Sequence, residues 1–544
     1  MVIVGAGPAG LAAAEHALRV GAQVTILDQA DAPGGQYHRG FYGEPHGFGE
    51  VLGRCEWWPE STVWAIEAAA AGVAGGAAAG AVAAGGAGAG DARAVAHVAG
   101  GTGAGDDSAA AGAVGGAGPG SARAAAGGAG VGDACATAGA SSASSASSAS
   151  SAGGSGGSDA GGAVGEATAG GSGVAAADPG AASHAPALRI HVLRGPADGS
   201  ARERVTLEPD ALILATGAHD RVLPFPGWQL PGVYTAGAAQ ALAKGERVAV
   251  GERVLVSGAG PFLLPVAESL LAVGAEVVAV LEANTAATVL KGWSKHVHPG
   301  KAAELARYAA TLARHRVPYR FGRTVVEARG DDRVREVVTA RLRADWSAVP
   351  GTERTHTVDA VCVGHGFTPQ PELAVAAGCL LDDGFVRIDN AQRTTITSVF
   401  AAGEITGIGG ADAARAEGAV AGCVAAGGTP SPDLLRRRDR TRAFAHRLKA
   451  AHPIGSEWPG WLRDDTIICR CEETTYEELK TAAADPVTPG PHALKLGTRA
   501  GLGPCQGRMC GPTVAELCGG TERHHRPIAQ PIRLGELAAP EGDS

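Results

Sequence analysis

Residues 2–28 decide the fold: Val2-Ile3-Val4-Gly5-Ala6-Gly7-Pro8-Ala9-Gly10-Leu11, an alanine-rich run to Gly21, then Val24-Thr25-Ile26-Leu27-Asp28. An apolar strand, a Gly-x-Gly-x-x-Gly turn, an amphipathic helix, a second strand and an acid at its tip make one βαβ unit suited to a dinucleotide. Gly5 allows the tight turn, Gly7 lets backbone N–H groups approach a pyrophosphate, and Gly10 brings helix and strand together. Pro8 and Ala9 then open the helix, whose positive N-terminus faces the phosphates. Asp28 is placed to accept the ribose hydroxyls. The competing reading is a βαβ turn whose crevice stays empty.

A second unit starts at Val254-Leu255-Val256-Ser257-Gly258-Ala259-Gly260-Pro261 and closes on Glu276-Val277-Val278-Ala279-Val280-Leu281-Glu282. Leu263 replaces its third glycine, which enlarges the helix–strand contact. Two readings follow: a site for NAD(P) or another adenine nucleotide on Gly258, Gly260 and Glu282, or a domain kept for architecture. Further apolar strands are expected at Ser61–Glu67, Leu188–Leu193, Arg204–Leu207, Ala211–Ala218, Val358–Phe367 and Thr395–Glu404, with a helix over Ala411–Ala425.

At 544 residues the chain exceeds a single core, yet 84 glycines and only 4% aromatic residues cannot be spread through packed domains. From about Ala68 to Ala187 the sequence is almost entirely Ala, Gly and Ser. With no apolar stripe to bury, this stretch reads as a disordered insertion in a hairpin, and Cys135 inside it receives no role. A net charge of -9 argues against a nucleic-acid partner. The basic run Arg436-Arg437-Arg438-Asp439-Arg440 reads as a solvated helix face. Residues 261–281 are apolar, but Glu268 and Glu276 fit a helix and a strand better than a membrane span. The first strand begins at residue 2, without a signal peptide and abruptly enough to fit a few missing upstream residues. The expectation is a cytoplasmic protein, associated with membranes only through partners.

Ten cysteines without an export signal point to metal, redox or buried-thiol use. Four arrive in two close pairs, Cys469-Arg470-Cys471 and Cys505-Gln506-Gly507-Arg508-Met509-Cys510, separated by a capping box at Thr475–Glu478 and a short helix; another helix should begin at Pro512. Such thiolates can hold an iron–sulfur cluster or zinc. Zinc fingers favour two residues between paired cysteines, whereas one and four occur here. Arg470, Lys495, Arg499 and Arg508 would offset the charge of a thiolate-bound cluster. Unligated thiols are the third reading, and Cys518 is a substitute ligand that packs in a helix.

These features together resemble the FAD-containing alpha subunits of heteromeric amine and amino-acid dehydrogenases, the group of the opine oxidases, hydrogen cyanide synthases and dye-linked proline dehydrogenases. The tail resembles the bacterioferritin-associated ferredoxin type of 2Fe-2S domain. The resemblance spans nearly everything outside residues 68–187. It rests most on Ala215-Thr216-Gly217-Ala218 with Leu223-Pro224-Phe225-Pro226-Gly227-Trp228, on Gly403-Glu404 with Gly407-Ile408-Gly409-Gly410-Ala411-Asp412, and on Thr498-Arg499-Ala500-Gly501 leading into the second thiol pair.

The resemblance implies an α/β flavoprotein with two dinucleotide-binding domains (Rossmann-like, glutathione-reductase type) and a small helical C-terminal iron–sulfur domain. The FAD-binding domain would comprise 1–67, 188–237 and 367–428, the insertion 68–187, the second nucleotide domain 238–366, a connector 429–464 and the 2Fe-2S domain 465–535. Gly35 and Gln36, in the Pro33-Gly34-Gly35-Gln36 loop, would pass over the flavin ring. Thr216 and Gly217 would turn beside it. Gly403-Glu404 takes the position of a Gly-Asp pair that reaches the FAD ribityl or phosphate region. The cluster ligands would be Cys469, Cys471, Cys505 and Cys510. A partner beta subunit of the glycine-oxidase type, with its own flavin, would oxidise the carbon–nitrogen bond of an amine, opine or amino or imino acid.

No acid–base or nucleophile constellation stands out, as expected where the cofactors carry the chemistry. A disulfide reductase would need a cysteine pair facing the flavin, but Cys55 stands alone and Cys362 has no close partner. The remaining alternatives are a single-chain NAD(P)H-dependent FAD reductase without a redox disulfide, and a non-enzymatic module that stores the cluster.

Overall fold

Val2–Val4, Thr25–Leu27 and Leu212–Leu214 are apolar on both faces, as strands covered by helices on either side require. They pair in parallel, Val2 opposite Thr25 on one side and Leu212 on the other. Glu56–Trp58 and Val399–Ala401 extend the sheet to five strands, in the order 399–401, 212–214, 2–4, 25–27, 56–58. Strand order reverses between 2–4 and 212–214, so a crevice opens beyond their carboxyl ends. The computed structural model describes residues 1–36, 48–68, 188–199, 202–293, 299–485, 490–519 and 528–538.

Helix Pro8–Val20 starts on Pro8 and stops at Gly21, which is left-handed (φ 93°). Its alanine face meets helix Gly410–Ala425 closely. A Cβ at Gly418 or Gly422 would fall 2.0 Å from the carbonyl oxygen of Ala9 or Ala13.

A second parallel sheet is ordered 319–321, 276–282, 253–258, 360–364, 233–235, beside an antiparallel trio of Arg323–Arg329, Glu336–Arg341 and Arg354–Thr357. Two strands cross between the units, Ala218–Asp220 outward and Phe367–Pro369 back, paired antiparallel. Ser61–Ala68 pairs antiparallel with Leu188–Arg194, the ladder running from Ser61 opposite Arg194 to Ala68 opposite Leu188. The two ends of the low-complexity stretch thus meet in a hairpin, as expected. Its interior, Cys135 included, lies outside the described residues.

In the connector one residue of the basic run departs from its expectation. Ser431 caps helix Pro432–Ala451 by accepting from the Leu434 N–H. Arg438 is only 4% exposed, donating to the Asn390 carbonyl and to Asp439, while Arg437 and Arg440 line a cavity. The basic run is therefore exposed at Arg436, Arg437, Asp439 and Arg440, as a solvated face requires, and only Arg438 turns into packed protein, where its guanidinium finds acceptors. Trp458 and Trp461 are core residues: Trp461 stacks on Trp346 at 5.9 Å, with the enclosed His365 6.5 Å away.

In the tail, Thr475 and Glu478 form the expected capping box on helix Tyr476–Ala483, and helix Gly511–Cys518 carries Pro512 in its first turn. Cys518 ends that helix, half-buried. Among the described residues no helix is long and apolar enough to cross a membrane.

Candidate functional site

A cavity of about 2130 Å³ opens at the strand-order switch and runs towards the second unit. It exceeds the roughly 300–1,000 Å³ of a pocket for one small ligand. The glycines divide their work on its wall. Gly5 is left-handed (φ 106°), with a Cβ position 2.3 Å from the Ala215 carbonyl oxygen, and a Cβ at Gly10 would lie 1.8 Å from that of Gly5. Both places demand the absence of a side chain. Gly7 has no neighbour within 4 Å of its Cβ position and lines the cavity. A Cβ at Gly35 would lie 3.0 Å from Gly7 and one at Gly403 2.9 Å from Ala9, so three loops distant in sequence meet at the start of helix Pro8–Val20.

Asp28 is held at the rim, Oδ2 accepting from the Ala6 N–H (2.5 Å) and Oδ1 from the Ala30 N–H (2.8 Å). The Thr216 hydroxyl donates to the Gln370 carbonyl (2.7 Å), and the Gln370 N–H donates to the Gly217 carbonyl, stitching this turn to the returning strand. Gln36 also lines the cavity. Glu404 does too, its Oε1 accepting from the Gly410 N–H at 3.3 Å, and burial pushes its carboxyl pKa up.

Behind Glu404 is a support that sequence reasoning missed. Glu417 Oε2 accepts from the Gly403 N–H (3.0 Å) and the Thr406 hydroxyl (2.6 Å), while its Oε1 receives Arg442 Nε (2.7 Å). Arg442 also donates to Gln392. The one available signal was a glutamate on the Ala/Gly face of helix Gly410–Ala425.

The second unit is arranged differently. Leu263, in place of the third glycine, is 1% exposed. Glu282 is fully enclosed: it accepts from the Gly260 N–H (2.9 Å) and from Asn284 N–H and Nδ2 (3.0 Å each), and His452 Nδ1 lies 3.2 Å away. Gly258 is pressed against Gly364, whose carbonyl oxygen would lie 1.8 Å from a Cβ. Cys362 is buried in the core and Cys55 donates to the Leu52 carbonyl; among the described residues no cysteine lines the cavity.

The tail thiols converge. Cys469 and Cys510 pack in one buried cluster, and the neighbouring Cys510 thiol, helped by the backbone at Gly501, Glu472 and Cys471, outweighs burial and brings the Cys469 pKa down to about 5. Cys471 and Cys505 are neighbours, and burial first, then Cys505, pushes the Cys471 thiol up. Among the described residues no three His, Cys, Asp or Glu side chains surround a single point as for a lone metal ion. The four thiols instead come together as two pairs, Cys469 with Cys510 and Cys471 with Cys505. Of the neighbouring cations, Arg499 is paired with Glu472 (2.7 Å) and Arg470 lies 5.3 Å over the Trp228 ring.

This thiol region sits on the segment that follows Ala215-Thr216-Gly217. His219 Nε2 donates to the Arg508 carbonyl (3.0 Å), Thr513 donates to the Val222 carbonyl, Trp228 donates to the Ile467 carbonyl, and Arg221 pairs with Glu516. The segment 219–228 is therefore the docking track of the tail, and its Gly227 approaches Ala328 too closely for any side chain.

Comparison with known proteins gives a consistent picture. The profile of the pyridine nucleotide-disulphide oxidoreductases matches residues 73–418, and that of the NAD(P)-binding Rossmann-like domain matches residues 3–49. One of the subunits of the Rhizobium meliloti opine oxidase is 32% identical over 369 residues, covering 62% of this chain and 68% of that protein. The HcnB component of the hydrogen cyanide synthase of Pseudomonas protegens is 33% identical over 320 residues, covering 55% and 67%. The crystal structure of L-proline dehydrogenase from P. horikoshii shares the fold at a TM-score of 0.54 and 15% identity, over 99% of this chain and 79% of that one. The chain belongs to the pyridine nucleotide-disulphide oxidoreductase family and is an FAD-dependent oxidoreductase with flavin- and nucleotide-binding domains of Rossmann type.

Proposed function

We propose that this chain is the electron-transferring alpha subunit of a heteromeric dehydrogenase or oxidase whose substrate is an amine, an opine or an amino or imino acid. FAD would lie along Gly5, Gly7, Pro8, Ala9, Gly10 and Asp28, with Gly35, Gln36, Thr216, Gly217, Gly403 and Glu404 around its flavin half. Cys469, Cys471, Cys505 and Cys510 would hold a 2Fe-2S cluster. The carbon–nitrogen bond would be oxidised by a glycine-oxidase-like beta subunit carrying its own flavin, and this chain would pass the electrons on one at a time. The observation that carries this reading is the approach of the two thiol pairs on the segment leading out of the cavity, together with a cavity wall that holds no cysteine among the described residues. Similarity to subunits named for opine oxidase and hydrogen cyanide synthase supports a partner.

The second unit is proposed to serve architecture, since the acid that would hold a ribose is already saturated inside the protein. Co-expression with a glycine-oxidase-like flavoprotein should give a complex that reduces a dye with an amino-acid or opine substrate. The isolated chain should contain FAD, iron and sulfide, and Cys505→Ser should remove the long-wavelength cluster absorbance while keeping the flavin bands. Rapid anaerobic bleaching of the isolated chain by NADH or NADPH would replace this reading with the single-chain reductase. A chain that retains no FAD would favour the storage module.

A further inference from the structure

The contact between the cavity and the thiol region is concentrated on one residue. Arg508 lies between Cys505 and Cys510, and both its backbone and its side chain are engaged. Its carbonyl accepts from His219 Nε2 at 3.0 Å. Its Nη2 donates to the Ala529 carbonyl (2.7 Å) and to Gln530 Oε1 (3.0 Å), its Nη1 donates to the Cys505 carbonyl (3.3 Å), and its Nε faces Glu372 Oε1 at 3.9 Å. His219, Gln530 and Glu372 all line the cavity. Three cavity-wall side chains, from the outward crossing strand, the C-terminal segment and helix Glu372–Ala376, thus close on the one residue that tethers the second thiol pair.

The imidazole is committed by this geometry. A carbonyl can only accept, so Nε2 carries the proton, and in the neutral ring Nδ1 is left as an acceptor. Nδ1 is buried and has no partner among the described residues. A hydrogen bond to a main-chain carbonyl fixes ring and peptide together, and a guanidinium shared among several acceptors has little freedom left.

We propose that His219 and Arg508 are positioning residues that hold the Cys505–Cys510 loop at a fixed separation from the flavin cavity and so set the rate at which reducing equivalents pass between the two centres. This rests on the reading of the four thiols as an iron–sulfur site. Each transfer moves one electron from reduced flavin to one ferric iron. Two transfers return the flavin to its oxidised form, its two hydrogens leaving as protons to solvent, with an external one-electron acceptor emptying the iron site between them.

The test uses the full chain with its cofactors. The flavin is photoreduced with EDTA as donor, and its conversion to the one-electron-reduced form is followed together with the loss of cluster absorbance; iron content and static flavin and cluster spectra are recorded in parallel. His219→Leu should slow equilibration measurably, because the loop loses its fixed separation from the cavity, with iron content and spectra kept. His219→Gln, which retains an N–H donor, should recover most of the rate. An unchanged rate in a His219→Leu protein that holds its iron overturns the proposal. If that variant loses iron, Arg508→Lys decides: it keeps the charge but not the fork, and slowing supports the proposal while an unaltered rate ends it. Wild-type chain lacking iron and sulfide would instead sink the iron–sulfur reading itself.

Discussion

Gly7 and Gly10 stand three positions apart in one motif, yet their surroundings demand opposite outcomes from the same substitution. A Cβ at Gly10 would meet the main chain of Gly5 at 1.8 Å, and backbone held in a parallel sheet cannot step aside. Gly10→Ala should therefore cost about 3 kcal/mol of folding stability and yield protein without flavin. Gly7 faces open cavity, and its backbone (φ -76°) suits any residue. Gly7→Ala should leave apoprotein stability within about 0.5 kcal/mol of wild type while flavin affinity falls at least about tenfold, because the added methyl stands where the phosphates would approach. Urea unfolding of the apoproteins and flavin titration check the pair. A flavin affinity unchanged by Gly7→Ala would remove the dinucleotide from this crevice.

At the scale of elements, the C-terminal helix Leu534–Ala538 is too short to be stable by itself. It is pinned by a two-pronged contact: Arg202 Nε and Nη2 each donate to a different oxygen of Glu536 at 2.7 Å, with both side chains largely enclosed. The Arg202 hydrogen bonds, joined by the Arg533 N–H, hold the Glu536 carboxyl at about 2 against an ordinary 4.5. A carboxyl depressed on folding contributes stability in full above pH 4.5 and loses it as pH falls towards 2. Glu536→Gln should cost about 3 kcal/mol at pH 7, since it leaves Arg202 enclosed without its charge, and the gap to wild type should shrink progressively below pH 4.5. Unfolding midpoints at pH 7 and pH 3 test this; a gap independent of pH would mean the pair adds nothing beyond packing. Neither partner was visible in the sequence, where they lie more than three hundred positions apart. What was visible was local: the βαβ periodicity, the Thr475–Glu478 capping box and the proline that opens helix Gly511–Cys518 each write their signal within a few residues. The buried Arg438 and the Glu417–Arg442–Gln392 support were not, because whether a charge faces water or a distant acceptor depends on which elements the fold brings together.

For the molecule as a whole, the same limit separates architecture from site. Both parallel sheets could be read from apolar runs ending in glycine, and the site loops from Gly-Gly, Thr-Gly and Gly-Glu pairs at strand ends. Their convergence on one helix start, and the reach of helix Pro432–Ala451 from Glu417 to the neighbourhood of Glu282, could not. The long Ala/Gly/Ser stretch poses the converse question of how much sequence the fold needs. Ala68 and Leu188 are already paired across the hairpin, and the sheet they belong to is completed by Glu203–Leu207, so the ladder is closed from residues outside that stretch. Loop-closure entropy rises only with the logarithm of loop length, so replacing roughly 120 residues by a two-residue turn gains at most about 3.6 kcal/mol. An Asn-Gly turn in place of residues 69–187 matches the twist of the flanking strands. The shortened chain should fold, bind FAD with unchanged affinity and show the same cluster absorbance, with a thermal midpoint at or above that of the full chain. A shortened chain that folds but no longer docks the beta subunit would give the stretch a role in assembly, and one that fails to fold would show that the hairpin register depends on it.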